Sequence, residues 1–192
     1  ELPDIGMVDS PDMESYISLG VFEDITDDIK DWDELDQFYD GPLSSCMDAD
    51  GKYYGLPNNS NCLTLCCNMD ILNAAGIENP PTTWEEFEED CQKIADLGEI
   101  PVIVGGSDAW QLMRYLSFSP WRVTGPEFIQ GYQAGTDSFS ENESAKYAVN
   151  LLSDLGTKGY FEPGFASVDF TSACNLFFGG TGAIFYTGSG QI

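Results

Sequence analysis

Apolar and polar positions along the chain predict an alternation of short strands and helices. A short apolar strand is predicted at residues 3–9, and a helix is predicted from Asp12 to Leu19, where Gly20 closes it. Further buried strands are predicted at residues 61–68, 101–106 and 182–186. The repeated alternation with short polar connectors indicates an α/β architecture built on a largely parallel sheet. Ligands of such sheets bind at the carboxyl ends of the strands, so function is expected in the loops that follow them.

Two sequences of the S/T-x-x-E form predict helix starts. Thr83 and Glu86 form a capping box, and the helix that follows has one apolar face and ends at Gly98. Ser140–Glu143 predict a second capping box, which opens a helix that Gly156 stops. Other helices are predicted from Met69 up to Gly76, around Trp110, and from Asp169 to Phe178.

The composition excludes several classes of function. A chain of 192 residues with 42% apolar residues is long enough for one domain with a sizeable core, so disorder is not expected. Its 33 acidic residues outnumber 7 basic ones, and a net charge of −26 is unsuited to nucleic acid or anionic lipid. The lack of histidine excludes Ser-His-Asp and Cys-His catalysis and histidine-containing zinc sites within this chain. No apolar run reaches the length of about 18 residues that a membrane span needs, so no membrane insertion is expected in this segment.

The acidic residues concentrate in the first quarter of the chain, where residues 1–53 hold 16 acidic and 2 basic side chains. Their densest stretch is residues 22–40, in which apolar residues recur every three or four positions. This pattern predicts a solvated acidic face on a helical or turn-helix segment. A cation-binding role is the alternative interpretation.

Two motifs begin like ligand-binding loops without completing them. Residues 48–52, DADGK, open like a calcium loop, but Asn59 stands where the bidentate glutamate belongs, so a plain turn is predicted. The glycine pairs at 105–106 and 188–190 form no nucleotide-binding motif. Neither a metal nor a cofactor is therefore expected.

The pairing of the six cysteines stays open at this level. They are Cys46, Cys62, Cys66, Cys67, Cys91 and Cys174. Three lie in a predicted buried strand and Cys91 lies on the apolar side of a helix, where a thiol behaves as a small apolar group. Free structural thiols are the favoured interpretation, with one or more disulfides, or a metal or catalytic role, as alternatives.

Planar polar groups accompany aromatic residues in the loops after the predicted strands. Asp108 lies beside Trp110 after the strand at 101–106, and Tyr186 and Thr187 precede a glycine-rich turn. A run of amides and a hydroxyl follows residues 55–57: Asn58, Asn59, Ser60 and Asn61. Such groups match a sugar, whose hydroxyls need planar hydrogen-bonding partners and whose CH faces stack on rings. The alternative for Trp110 is a core position on an amphipathic helix.

Five sequence blocks, in the right order, resemble one protein family. They are DGKYYGLPNNSN (50–61), LTLCCNMDILNAAGIENPPTTWEEF (63–87), ADLGEIPVIVGGSDAWQLMRYL (95–116), LGTKGYFEPG (155–164) and LFFGGTGAIFYTGS (176–189). The blocks resemble the extracellular solute-binding proteins of carbohydrate-uptake ABC transporters, the family 1 proteins similar to maltodextrin-binding protein. The resemblance implies a periplasmic-binding-protein-like fold of type II, of which this chain holds mostly the second lobe and the end of the first.

The resemblance also implies lobe boundaries and ligand contacts. Residues 1–53 would be the C-terminal part of a first-lobe segment, and residues 54–192 would be the nearly complete second lobe. The positions that match ligand-contacting loops of the family are Asp9, Asn58, Asn61, Asp108, Trp110, Tyr186 and Gly188. Two positions depart from the family pattern: Gly190 stands where many relatives have an aromatic residue, and Cys66–Cys67 replace a tyrosine pair.

The function that the resemblance implies is a receptor outside the cytoplasm, either periplasmic or a cell-surface lipoprotein. It would bind a sugar or oligosaccharide and deliver it to the membrane permease of an ABC transporter, with no enzymatic activity and no catalytic residue. Two alternatives stay open: a receptor for a cationic solute such as a polyamine, and a carboxylate-dependent glycosidase. Because the chain opens on Glu1 and ends on a turn after a strand, we expect it to be a piece of a longer protein.

Overall fold

The chain divides into two compact units, Glu1–Asn61 and Cys62–Ile192. The computed structural model describes residues 3–191, with the side chains of that range except those at 118–124, 126 and 133. The lobe assignment of residues 1–53 and 54–192 stays a prediction, because a compact unit is not by itself a lobe.

The smaller unit is built from short helices and turns. Its helices among the described residues are α1 (Ser10–Ser18), α2 (Thr26–Ile29) and α3 (Asp40–Ser44), with a 3-10 turn at Leu35–Gln37. The prediction of a helix closed by Gly20 is confirmed, since Gly20 has a φ of 67° and follows the last turn of α1. The acidic stretch at 22–40 is the turn-helix segment that was expected, with most of its acidic side chains exposed.

The strand predicted at residues 3–9 is not formed. These residues adopt bends and irregular backbone, and most of them are exposed. A strand requires a neighbouring strand for its backbone hydrogen bonds, and none lies beside residues 3–9 in the part of the chain that the structure describes. Apolar composition alone is therefore not sufficient to predict a strand here.

The turn predicted at DADGK is confirmed. One carboxylate oxygen of Asp48 accepts hydrogen bonds from the backbone N–H groups of Asp50 and Lys52, each at 2.9 Å. Gly51 supplies the positive φ, 83°, that completes the turn. The Asp48 side chain thus stabilises its own loop.

The larger unit alternates strands and helices. Its elements are β1 (Leu63–Cys67), α4 (Met69–Ala74), α5 (Trp84–Asp96), β2 (Ile100–Ile103), α6 (Trp110–Thr124), α7 (Pro126–Gln133), α8 (Glu143–Thr157), α9 (Phe170–Phe178) and β3 (Gly182–Gly188). Short 3-10 turns occur at Gly106–Asp108, Phe165–Ser167 and Ser189–Gln191. None of the helices within residues 3–191 is long and apolar enough to cross a membrane.

The three described strands form a mixed sheet in the order β1-β3-β2. β3 runs parallel to β2, with Val102 opposite Ile184, and antiparallel to β1, with Leu65 opposite Tyr186. The expectation of a largely parallel sheet is therefore wrong for this part of the sheet. Hydrophobic pattern cannot distinguish the two orientations here, because a central strand covered on both faces is apolar in either case.

β3 is buried over its whole length and separates two apolar clusters. Ile184 and Tyr186 face the larger cluster, to which α4, α5, α6 and α8 contribute, whereas Phe185 faces a smaller cluster with Ala173 and Phe177 of α9. Successive side chains of a strand point to opposite faces, so helices are required on both sides of the sheet. This is the layered α/β arrangement that the sequence predicts.

The first predicted capping box is present at the start of α5. The Thr83 hydroxyl accepts a hydrogen bond from the Glu86 N–H at 3.1 Å, and the Glu86 carboxylate accepts from the Thr83 N–H at 3.3 Å. The helix ends at Asp96, Leu97 is its C-cap residue, and Gly98 follows with a φ of 86°. Phe87, Cys91 and Ile94 form its buried face.

The second predicted capping box is not formed, and the helix predicted with it starts and ends at other residues. α8 starts after Asn142, whose side chain accepts a hydrogen bond from the Ala145 N–H at 3.0 Å. Ser140 instead contacts the Ser138 hydroxyl at 2.8 Å. Gly156 lies within α8, and the positive φ of 72° belongs to Gly159. Asparagine caps a helix as well as serine does, so local sequence left two competing starts only two residues apart.

Candidate functional site

One edge of the sheet in the larger unit gathers the loops in which function was predicted. β2 and β3 are parallel, so their carboxyl ends meet at this edge. β1 is antiparallel to β3, so its first residue, Leu63, lies opposite Gly188 at the same edge. Candidate residues that are distant in sequence, on β3 and after β2, therefore share one end of the sheet.

The loop after β2 is fastened to the segment that precedes α9. The Ser107 N–H donates to the Val168 carbonyl at 3.0 Å. Gly106 packs so closely on Phe165 that a Cβ atom there would lie 2.7 Å from the Phe165 carbonyl oxygen. The glycine pair at 105–106 thus allows two backbones to approach each other.

Asp108 holds this loop in place. Its Oδ2 atom accepts a hydrogen bond from the Phe170 N–H at 2.6 Å, and its Oδ1 atom lies 3.5 Å from the Ser107 hydroxyl. A carboxylate that accepts from a backbone N–H at the start of a helix also interacts favourably with the helix dipole. Asp108 therefore positions α9 relative to the loop.

Trp110 opens α6 and keeps 46% of its surface exposed. Its ring centroid lies 5.0 Å from that of Phe170, and the Arg114 guanidinium carbon lies 4.5 Å from its ring. The alternative interpretation of Trp110 as a core residue is thus wrong. The indole is supported by two neighbours and still presents a large surface to solvent, as a stacking platform for a ligand requires.

Arg114 is the residue of this edge that sequence reasoning missed. Its Nη1 atom donates to the Tyr186 carbonyl at 3.0 Å, so it connects α6 to β3. Partial burial lowers the pKa of its guanidinium. The signal available in the sequence was its spacing, because a residue four positions after Trp110 lies on the same helical face. We call Asp108, Trp110, Arg114 and Phe170 the Trp110 surface.

Tyr186 and Gly188 reach the same edge in a different way. The Tyr186 ring is only 3% exposed and packs edge-on against Tyr115, with ring centroids 5.4 Å apart. Gly188 is buried as the last residue of β3. Both residues belong to the sheet, and Tyr186 contributes its carbonyl oxygen to the Trp110 surface through Arg114.

A separate pocket of about 150 Å³ lies within the smaller unit. Its lining consists of Gln37, Phe38, Tyr39, Pro42, Pro57, Asn58, Asn59 and Ser60. Tyr39 is 79% exposed and stands beside the amides that the sequence singled out. We call this the Tyr39 pocket. Tyr39 itself was not predicted, because it lies within the acidic stretch rather than after a strand.

The other first-unit candidates lie outside the lining of the Tyr39 pocket. Asp9 is exposed and precedes α1 without forming a side-chain cap. Asn61 is exposed at the end of the smaller unit. Asn58, which lines the pocket, donates from its amide to the Met7 sulfur at 2.9 Å.

The six cysteines are unpaired in this structure. Burial raises the pKa of Cys67 to about 11 and also raises the pKa values of Cys46, Cys91 and Cys174. A thiol whose pKa is raised is a poor nucleophile and a poor metal ligand at neutral pH. Within residues 3–191 no group of three or more acidic or cysteine side chains is arranged to hold a metal ion.

Sequence comparison identifies a family over the full length of the chain and relatives over parts of it. The family model described as bacterial extracellular solute-binding protein matches residues 1–192. A binding protein of Brucella abortus (strain 2308) is 30% identical over 115 residues, which are 60% of this chain and 22% of that protein. The sn-glycerol-3-phosphate-binding periplasmic protein UgpB of Rhizobium meliloti (strain 1021) is 28% identical over 161 residues, which are 81% of this chain and 36% of that protein.

Solved structures share the fold. A chitin oligosaccharide binding protein superposes with a TM-score of 0.83 at 26% identity, over 92% of this chain and 43% of that one. The solute-binding protein RafE in complex with raffinose superposes with a TM-score of 0.69 at 22% identity, over 93% of this chain and 46% of that one. The chain thus spans less than half the length of these solved structures.

Proposed function

The chain belongs to the bacterial extracellular solute-binding protein family, and on that premise we propose that it is part of a receptor for a sugar or oligosaccharide. The observation that carries the proposal is the exposed indole of Trp110 at the carboxyl edge of the sheet, supported by Phe170 and Arg114. A sugar ring would stack on this indole. The chitin oligosaccharide binding protein, which shares the fold, supports a carbohydrate as the ligand class.

The remaining predicted contacts belong to the same proposal. We propose that the Oδ1 atom of Asp108, whose contact with the Ser107 hydroxyl is long at 3.5 Å, and the backbone near Tyr186 and Gly188 contact the solute at the Trp110 surface. In the smaller unit, the amide of Asn58 beside the Tyr39 ring offers hydrogen bonds next to an aromatic face. Asp9 and Asn61 are proposed from the family resemblance alone.

The setting of the receptor follows from its family. Members are extracellular, and the relative in Rhizobium meliloti is periplasmic by name. We propose that the protein is periplasmic or anchored at the cell surface as a lipoprotein, and that it delivers its solute to the membrane permease of an ABC transporter. We also propose that it has no enzymatic activity.

The two alternatives are less well supported by the described residues. A cationic solute needs a cluster of free carboxylates, whereas the Trp110 surface carries one guanidinium and one carboxylate whose Oδ2 atom is already engaged. A glycosidase needs two carboxyl groups that flank the scissile bond. Asp108 is the single carboxylate among the residues that define this surface.

The experiment is a substitution of Trp110 in the full-length protein. A thermal-shift screen of neutral mono- and oligosaccharides first identifies a solute, since a ligand that binds the native state raises Tm with its concentration. Trp110→Ala is expected to weaken binding of that solute by about 1–3 kcal/mol, as loss of an aromatic anchor does. Isothermal titration calorimetry measures the affinity.

The matched control is Met113→Ala, which truncates another half-exposed side chain of the same helix. It is expected to keep both the fold and the affinity. Unchanged affinity in Trp110→Ala would remove this residue from the site. Release of reducing ends from an oligosaccharide would contradict the absence of enzymatic activity.

A further inference from the structure

Arg114 differs from the other described basic residues in lacking a carboxylate partner. The five lysines each form an ion pair, at N–O distances from 2.6 Å for Lys146–Glu143 to 3.5 Å for Lys158–Glu88. No described carboxylate forms an ion pair with Arg114. In a chain with 33 acidic residues, a cation kept apart from them needs an explanation.

The environment of this guanidinium makes the absence of a partner costly. Its side chain is partly buried beside two aromatic rings, 4.5 Å from the centroid of the Trp110 ring and 6.0 Å from the centroid of the Phe170 ring. Burial removes hydration from a charge, and that loss is compensated only when hydrogen bonds or an opposite charge replace the water. The rings and one carbonyl compensate in part.

The guanidinium also retains hydrogen-bonding capacity. An arginine has five N–H donors, and Arg114 uses Nη1 for the Tyr186 carbonyl. None of the described carboxylates forms an ion pair with the remaining N–H groups. A planar fork of this kind matches the two oxygens of a carboxylate or phosphate group.

The position of Arg114 directs this fork toward the proposed ligand. The tyrosine carbonyl fixes the guanidinium at the end of β3, and Trp110 of the same helix presents the stacking surface one turn away. Asp108 is the one acidic member of the Trp110 surface, and its Oδ2 atom is occupied by the Phe170 N–H. A ring stacked on the indole would therefore bring its substituents near the cation.

We propose that Arg114 recognises an anionic group on the solute, so that the receptor prefers a sugar or polyol that carries a carboxylate or a phosphate. The proposal rests on the proposed function and names its substrate class. A fixed guanidinium next to a stacking ring selects an acidic solute, because a neutral one leaves the partly desolvated charge without a partner.

The test measures binding of acidic and neutral pairs to the full-length protein by isothermal titration calorimetry. Digalacturonate and the neutral disaccharide of the same linkage form one pair, and sn-glycerol 3-phosphate and glycerol form the other. The wild type is expected to bind at least one acidic probe about tenfold or more tightly than its neutral counterpart. The digalacturonate pair tests a carboxylate, and the phosphate pair tests a phosphate.

Substitutions assign the preference to Arg114. Arg114→Gln is expected to weaken binding of the acidic probe about tenfold to a hundredfold more than it weakens binding of the neutral counterpart. Arg114→Lys keeps the positive charge but lacks the planar fork of N–H donors. Its affinity for the acidic probe is expected to lie between those of the wild type and Arg114→Gln. Lys93→Gln removes a positive charge from another helix of the same unit, and it is expected to leave the affinity for both probes unchanged. Circular dichroism and Tm confirm that each variant is folded.

The outcomes separate this inference from the proposed function. The anion preference is wrong if a neutral sugar binds as tightly as its acidic counterpart, or if Arg114→Gln weakens binding of both probes equally. In either case Arg114 only supports the indole, and the proposed function as a sugar receptor is unaffected. Failure of both acidic probes to bind also overturns the anion preference. The proposed function itself fails only if the full neutral and acidic panel leaves Tm unchanged.

Discussion

Two aromatic residues near strand ends differ in exposure at this edge of the sheet. Trp110 and Tyr186 are both aromatic residues near strand ends, yet one is half-exposed and the other is 3% exposed. The difference arises because Tyr186 lies within a strand covered by helices on both faces, whereas Trp110 starts a helix at its edge. Exposure, which decides whether a ring can meet a ligand, is a property of position in the fold.

Glu162 is a buried carboxyl group whose charge has a cost. It is 3% exposed, and its Oε2 atom accepts a hydrogen bond from the Val104 N–H at 3.1 Å. Its Oε1 atom has no hydrogen-bond partner in the described part of the chain. Burial raises the pKa of Glu162 above its ordinary value.

This burial predicts a pH-dependent effect of Glu162→Gln. An acid whose pKa is raised in the native state contributes stability below its ordinary pKa, and that stability is lost as pH rises through the raised value. The glutamine variant carries no charge at any pH. Its Tm is expected to exceed that of the wild type at about pH 8, and by a smaller margin at about pH 5. Each 1 kcal/mol of difference in the free energy of unfolding corresponds to about 2–4 °C in Tm.

The control for this prediction is Glu141→Gln, the same change at an exposed position. Its Tm difference from the wild type is expected to stay small at both pH values. A Glu162→Gln variant with the same Tm difference at both pH values would show that ionisation of Glu162 does not affect stability.

Helix starts show how far local sequence determines an element. The capping box at Thr83 is formed as its sequence predicts, because threonine and glutamate at that spacing satisfy each other's backbone groups. The similar sequence at Ser140 fails, since Asn142 caps α8 instead. The asparagine start directs Ala145 and Ala148 into the core, where both are fully buried.

Two alanine substitutions test which residue caps α8. Asn142→Ala is expected to lower the free energy of unfolding by about 1 kcal/mol, because the Ala145 N–H loses its acceptor. Ser140→Ala is expected to change it by less than about 0.5 kcal/mol. Urea unfolding followed by circular dichroism measures both, and the reverse ranking would restore Ser140 as the cap.

Charge acts on the whole molecule. A net charge of −26 opposes a compact state through self-repulsion, and the six described ion pairs involve lysines that are about half exposed. Exposed pairs contribute little to stability, at most about 1 kcal/mol each. Screening by salt ions should therefore weaken the repulsion among the acidic side chains more than it weakens the attraction within the ion pairs.

Added salt is accordingly expected to stabilise the protein. Raising sodium chloride from about 0.01 M to about 0.15 M shortens the Debye length from about 30 Å to about 8 Å. Tm is expected to rise by about 2–4 °C, which corresponds to about 1 kcal/mol at this size. Potassium and tetramethylammonium chloride with a chelator present should give the same rise, which distinguishes screening from cation binding. A fall in Tm would mean that ion pairs dominate.

The sequence by itself determined the strands of the larger unit, its helices apart from α7, the apolar faces of several helices and the family to which the chain is similar. Periodicity, caps and glycine stops act over a few residues, so they can be recognised without the fold. It also singled out Asp108 and Trp110 as candidates, because both come shortly after the strand predicted at residues 101–106.

Only the tertiary structure decided the rest. The strand predicted at residues 3–9 lacks a partner in the described chain, and the direction of β1 depends on pairing with a strand more than a hundred residues away. The sequence spacing places Arg114 on the helical face of Trp110, but only the fold shows its hydrogen bond to a carbonyl on β3 and its lack of a described carboxylate partner. Contacts between distant segments decide such features, since the free energy of a charge or a backbone group depends on what surrounds it in space.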